Sequence, residues 1–273
     1  MQQKKLAFIG AGNMSRSIIS GLIKSGYAKE NILAANPSTP KLDGLKAEFG
    51  IHTTQSNDEA CQFADAIVLA VKPQIMGDMC GELQKNNALS GKLFLSIAAG
   101  LPVARLQEML GGEYPVVRIM PNTPSLLGKG MSGMYADSTV SEADRQYVDD
   151  VMNSVGETVW VNEEAGINGV IAAAGSSPAY FFLFLQAMQE EAINMGFDKA
   201  QSRLMVQQAM LGAAEMVCHN PHLELSELRS QVTSKGGTTA KAIESFQQQG
   251  LEQIIARAMQ AAVKRANQMA QQF

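Results

Sequence analysis

This sequence has little cysteine, little histidine and no excess of positive charge, and each shortage removes a class of function. Its 273 residues include three cysteines, Cys61, Cys80 and Cys218, with no CxxC pair among them. An odd, widely spaced set fits a reducing compartment better than a disulfide framework, so a cytoplasmic location is expected. The three histidines are His52, His219 and His222. The last two have no cysteine or acid cluster beside them, and no metal site is expected. Lys and Arg total 22 against 26 Asp and Glu, for a formal charge of −4. No segment is strongly basic, so no nucleic-acid partner is expected. A Walker phosphate loop and a GxSxG nucleophile elbow are both missing.

The one long uncharged run is residues 165–189. It is long enough to span a bilayer. Asn168, Gly175-Ser-Ser-Pro178 and Gln186 interrupt it, so the expectation is two buried helices and no membrane. The opening MQQKKLAFIGAGN has a short apolar run that enters a glycine turn, which does not fit a targeting peptide.

What the chain does contain is two patterns in succession. Over residues 1–161, apolar runs at 5–9, 31–35, 66–71, 92–97 and 116–120 alternate with helical stretches such as 14–25 and 41–49. These runs are continuously apolar, as strands covered on both faces are. Further strands are expected at 130–135 and 158–161, with a helix starting at Ser141 between them. The order predicts an α/β Rossmann-type parallel sheet with helices on both sides. Over residues 162–273 the strand signal stops. Helices are predicted at 164–174, 178–195, 199–218, 224–232, 238–249 and 251–271, an all-α domain. The 199–218 helix is apolar nearly all round and must be enclosed. A domain of about 110 residues seldom encloses a helix alone, so self-association is expected. The 16 methionines fit adaptable core filling.

The first chemical motif is Phe8-Ile-Gly10-Ala11-Gly12-Asn13-Met14-Ser15, placed after a strand and before a helix. Gly10 suits the tight turn, Gly12 lets a pyrophosphate approach the backbone, and Ser15 is small enough for helix–strand packing. The second strand ends Ala35-Asn36-Pro37-Ser38, without the acid that binds an NAD ribose. Asn36, Ser38, Thr39 and Lys41 offer donors instead. NADP is therefore favoured over NAD, with a plain polar turn as the alternative. Two more strand ends, Ala70-Val71-Lys72-Pro73-Gln74 and Ser96-Ile97-Ala98-Ala99-Gly100, belong where ligands sit in parallel sheets. Lys72 has two readings, a catalytic cation and a structural charge. Arg118-Ile-Met-Pro121-Asn122-Thr-Pro124 is stiffened by its prolines.

The last motif, Gln231-Val-Thr-Ser234-Lys235-Gly236-Gly237-Thr238-Thr239, interrupts the helical half. The glycines permit a tight turn, and Thr238 or Thr239 can cap the next helix. The first amides of that helix suit a small carboxylate. An ordinary helix–helix turn is the competing reading.

Taken together, FIGAGNM, AVKPQ, SIAAG, RIMPNTP, GSSPAY and TSKGGTT, in this order, resemble pyrroline-5-carboxylate reductase over essentially the whole chain. The resemblance implies NAD(P)H-dependent reduction of 1-pyrroline-5-carboxylate to L-proline, with NADPH preferred and NADH possible. It also implies a Rossmann domain followed by a helical domain that interlocks with a second subunit, and a dimer or a ring of dimers. By motif, the cofactor would contact Gly10, Ala11, Gly12, Asn13, Met14, Asn36, Ser38, Asn57, Ala70, Val71, Lys72, Pro73, Ile97, Ala98 and Ala99. The substrate would meet Gly237, Thr238 and Thr239, with Ser234 and Gln231 adjacent and Glu164 nearby. Lys235 stands where many relatives have proline. Thr239 is the implied catalytic residue, an orienter of the ring nitrogen or a proton relay rather than a general acid, because a free hydroxyl has far too high a pKa. Rival readings are another NADP-dependent reductase, which would carry a lysine that GSSPAY does not offer, and a dinucleotide-sensing protein.

Overall fold

The structure, a computed structural model, describes residues 3–86, 89–270 and 272. The chain forms two compact units, Met1–Ser176 with Ala261–Phe273, and Ser177–Gln260.

The first unit is built on strands β1 (Leu6–Ile9), β2 (Ile32–Ala35), β3 (His52–Thr54), β4 (Ala66–Leu69), β5 (Leu93–Ser96), β6 (Val116–Met120), β7 (Gly130–Ala136) and β8 (Gly156–Trp160). They form one sheet in the order β3-β2-β1-β4-β5-β6-β7-β8. All pairings are parallel except β6–β7, which is antiparallel. The residues of β1, β2, β4 and β5 are all buried, which explains why their sequences do not alternate. Their side chains feed two cores. Leu6, Phe8 and Val68 join one, while Ala7, Ile9, Ile67 and Leu69 join the other. Strand order reverses between β1 and β4, the place where doubly wound sheets bind ligands.

Helices α1 (Asn13–Lys24), α2 (Thr39–Phe49), α3 (Asn57–Phe63), α4 (Pro73–Asn86), α5 (Val103–Leu110) and α6 (Glu142–Asn153) connect the strands. Ser141 caps α6 as expected, accepting from the Asp144 amide. The sequence reading omitted β3 and α3–α5. β3 is three polar residues on an edge, and α3 and α5 are only two turns long.

From α7 (Gly166–Val170) the chain passes through a wide π turn (Ile171–Gly175) into α8 (Ser177–Asn194). The interruption falls at Ser-Ser-Pro as expected: Ser176 separates the π turn from α8, within one long helical stretch from Gly166 to Asn194. A proline near the start of a helical segment removes one amide donor, and the π turn absorbs the mismatch. This is one helix long and apolar enough to cross a membrane by length and composition.

The second unit continues with α9 (Lys199–His219), α10 (Leu225–Gln231), α11 (Thr238–Gln248) and the first half of α12 (Leu251–Ala270). Capping boxes Asp198–Gln201 and Glu224–Glu227 start α9 and α10. The expectation of buried helices fails within a single chain. No residue of α8 is buried, and Phe181, Phe182, Leu183, Leu204 and Leu211 are exposed. The apolar surfaces that the sequence marks for enclosure are present but uncovered.

Candidate functional site

The glycine-rich turn is shaped by close backbone contacts. Gly10 has φ +110°, and a Cβ there would lie 2.6 Å from the Ala70 carbonyl oxygen. Only glycine fits, since the strain and the clash are both with backbone. Ser15 Oγ donates to Gly10 O at 2.6 Å, tying α1 back onto the turn. Gly12 is the N-cap of α1, has no side-chain cap and has open space above its Cα. No acid lies in the first turn of α1. These amides and the helix dipole suit a pyrophosphate, so the residues present fit a dinucleotide.

At the end of β2, Asn36 Oδ1 accepts from Ala11 N at 3.3 Å, and its Nδ2 donates to Ser38 Oγ at 2.9 Å. Asn36 thus links the glycine turn to the turn expected to hold the ribose. Gln55 Nε2 braces the same turn by donating to Pro37 O at 2.7 Å. A cavity of about 580 Å³ opens here, lined by Gly10, Ala11, Gly12, Asn36, Asn57, Ala70, Val71 and Lys72 among others. Asn13 lines an adjoining cavity with Ala11, Gly12 and Lys41. Met14, Ser38, Pro73, Ile97 and Ala98 do not line the larger cavity, although Ser38 reaches it through Asn36. The sequence reading missed Ile75, Asp78, Met79 and Glu82, which α4 presents to this space. Recognising α4 at Pro73 would have found them, since they share a face at helical spacing.

Beyond β5 and β6 a second cavity, of about 200 Å³ and mostly apolar, is lined by Ala99, Gly100, Met120, Ile171, Ser176 and the end of α12. Asn122 is 8% exposed; it accepts from Met131 N at 2.9 Å and donates to Ala174 O at 3.0 Å.

Glu164, expected near the substrate, is engaged within the first unit. Its Oε1 accepts from Val103 N at 2.8 Å and from Arg118 Nη1 at 3.0 Å. Arg118 is buried in the middle of β6. A charge inside the run Val-Val-Arg-Ile-Met was the available signal that it needs a partner. The pair fixes the start of α5, directly after the segment Ser96–Gly100.

In the second unit, Gly236 at φ +75° makes the turn between α10 and α11. A Cβ on Gly237 would lie 2.5 Å from Ser234 Oγ, so the turn is tight. The expectation that Thr238 or Thr239 caps α11 is corrected. Gly237 is the N-cap, without a side-chain cap bond, and Thr238 and Thr239 are the first two helical residues. Both threonines are exposed, as are Gln231, Ser234 and Lys235. The first amides of α11 carry no side-chain cap, as an anion site requires.

Residues 164–269 match the family model described as pyrroline-5-carboxylate reductase dimerisation, and residues 5–100 match the one described as NADP oxidoreductase coenzyme F420-dependent. The chain is 55% identical to a pyrroline-5-carboxylate reductase of Vibrio alginolyticus over the whole of both chains. It is 35% identical to that of Escherichia coli K12, covering 98% of each. A solved pyrroline-5-carboxylate reductase of Coxiella burnetii superposes with a TM-score of 0.94 at 38% identity, over 98% of this chain and 99% of that one. A Plasmodium falciparum pyrroline carboxylate reductase with NADP bound gives a TM-score of 0.86 at 30% identity, over 99% of each.

Proposed function

The chain belongs to the pyrroline-5-carboxylate reductase family, and on that premise we propose that it reduces 1-pyrroline-5-carboxylate to L-proline, the last step of proline synthesis. NADPH, when bound, supplies the hydride that reaches the imine carbon. The observation that carries this reading is the uncapped N-terminus of α1 behind Gly10 and Gly12, beside β4, in a chain whose family match spans 164–269.

Each motif then has a task. Gly10, Ala11, Gly12, Asn13 and Met14 hold the pyrophosphate. Asn36, Ser38 and Asn57 hold the adenosine ribose and its phosphate. Ala70, Val71, Lys72, Pro73, Ile97, Ala98 and Ala99 form the wall along which the rest of the cofactor lies. On the substrate side, the Gly237, Thr238 and Thr239 amides hold the carboxylate, beside Ser234 and Gln231. The Thr239 hydroxyl orients the ring nitrogen. Glu164 acts on this chemistry by fixing α5 and the loop before it, through Val103 and Arg118. Positioning and electrostatics supply the rate, because the motifs hold no strong acid.

The functional division falls at 1–161 for the cofactor and 162–273 for substrate and dimerisation. The absence of an acid after β2 favours NADPH, and a larger kcat/KM for NADPH than for NADH is the expected result. The exposed apolar faces of α8 and α9 meet a second copy rather than lipid, in a cytoplasmic dimer or ring of dimers. Sedimentation in detergent-free buffer should give twice the 29.3 kDa chain or a multiple. The decisive assay is NADPH oxidation with 1-pyrroline-5-carboxylate and equimolar formation of proline. No turnover with the pure protein overturns the reading.

A further inference from the structure

The wide turn between α7 and α8 is secured by a side chain from elsewhere in the first unit. Residue 178 is proline and has no N–H to offer the preceding turn, so a regular α-helical register is interrupted here. The register has already changed one turn earlier. Ser176 N donates to Ile171 O at 2.8 Å, a bond across five residues. Asn122, just beyond β6, brings its Nδ2 to Ala174 O at 3.0 Å. Its own Oδ1 is fixed by the amide of Met131, at the start of β7. The side chain is nearly buried, so both bonds are shielded from water. The β7 side is equally specific. A Cβ on Gly133 would lie 2.6 Å from a Val170 methyl, so the last residue of α7 packs directly on the strand.

This turn borders a working space. Ile171 and Ser176, one at each end of it, line the cavity of about 200 Å³ with Ala99, Gly100 and Met120. That cavity lies at the carboxyl ends of β5 and β6, where parallel sheets place the reacting end of a dinucleotide. We infer that Asn122 is a positioning residue for the reduction: by holding Ala174 it sets the wide turn, and so the wall against which the nicotinamide and the imine meet. The inference rests on the reductase reading given above. It does not place Asn122 in contact with either reactant.

Two substitutions separate this role from simple stability. Asn122→Ala removes both bonds. Asn122→Asp keeps the acceptor for Met131 N but, when ionised, removes the donor to Ala174 O. With the whole enzyme, kcat, KM for pyrroline-5-carboxylate, NADPH affinity by fluorescence and the isotope effect with NADPH deuterated at the transferring position are measured. Misplacement of a reacting wall should lower kcat by about 10- to 100-fold. NADPH affinity should stay within about threefold, because the pyrophosphate site is untouched. The isotope effect on kcat should rise as the hydride step becomes limiting. Asn122→Asp should match Asn122→Ala at neutral pH and recover toward wild type on acidification, when a protonated carboxyl can again donate. Should Asn122→Ala fail to fold, the Asp variant decides by the same readouts. A folded variant that keeps kcat and isotope effect, and loses only thermal stability, overturns the inference. A wild type without turnover overturns the reductase reading, and this inference with it.

Discussion

Replacing Glu164 by alanine tests whether its carboxylate holds the first unit together as the geometry indicates. The change leaves the Arg118 side chain, only 6% exposed, without the carboxylate at 3.0 Å. It also leaves the first amide of α5 without its acceptor at 2.8 Å. Removing one partner of a fully buried ion pair costs about 3–5 kcal/mol. The Glu164 side chain is 26% exposed, so water can reach the vacated site. The charge share then falls to about 1.5–3 kcal/mol. The lost bond to Val103 N adds about 1 kcal/mol. Together these predict about 2.5–4 kcal/mol, or a fall in Tm of about 5–15 °C for a unit of this size. Glu164→Gln keeps an oxygen for Val103 N and Arg118 and loses only the charge, so it should fall about half as far. Calorimetry at one fixed protein concentration is the assay, because association shifts Tm by mass action. A coupling energy near zero in the double-mutant cycle with Arg118→Met would refute the reasoning, as would alanine and glutamine variants that melt together.

Three further outcomes follow from other sites. Thr239→Ala keeps its backbone amide and loses one hydroxyl, and should lower kcat by about 10²–10³, or about 2–4 kcal/mol, with NADPH affinity unchanged; retention of more than about half of kcat would reduce the residue to helix structure. Burial pushes the Cys80 thiol up to about 12 and raises that of Cys61, whereas Cys218 is exposed. Native protein should therefore react with a disulfide reagent at no more than one thiol per chain, and at three after denaturation; two or more in the native state would contradict this. Burial acts to raise the Asp144 carboxyl, but hydrogen bonds from Lys4 and Ser141 and the Lys4 charge outweigh it and hold it below the ordinary value. Its stabilising contribution is then present at neutral pH and lost as pH falls below about 4, through the folded value. Asp144→Asn should lower stability at neutral pH and flatten the acid limb, and unchanged acid denaturation would exclude this.

Legibility followed the strength of local signals. β6 spans Val116–Met120 in sequence and structure alike, and β1, β2, β4 and β5 were located within a residue or two. Their continuous apolar runs have no other stable use than a covered sheet. The short polar β3 and the two-turn α3 had no periodicity to detect. Gly10 and Gly236 were readable because their positive φ leaves few alternatives to glycine. The capping role given to Thr238 or Thr239 was wrong by one or two residues, since a glycine N-cap is silent in side-chain chemistry. Neither the Arg118–Glu164 pair nor the Asn122 bond to Ala174 could be read, because each joins residues 46 and 52 positions apart. Sequence shows that a buried charge or amide needs a partner, not which one folding brings to it.

The first unit is discontinuous, and this has a consequence for biosynthesis. Its sheet is complete by Trp160, yet residues 261–270 still belong to it. Met269 lies against Gly100, 3.3 Å from where a Cβ would stand, and Asn267 accepts a hydrogen bond from Asn168. A nascent chain emerging from the ribosome can therefore form the sheet early but cannot finish this unit until all of α12 has been made. Between those moments the helices of the second unit appear, carrying exposed apolar faces. Two new chains on one messenger would expose those faces together, so pairing during translation competes with closure of each chain on itself. Ribosome profiling of chains held by a neighbouring copy should detect engagement beginning before codon 261 if pairing comes first, and only after α12 is released if closure does.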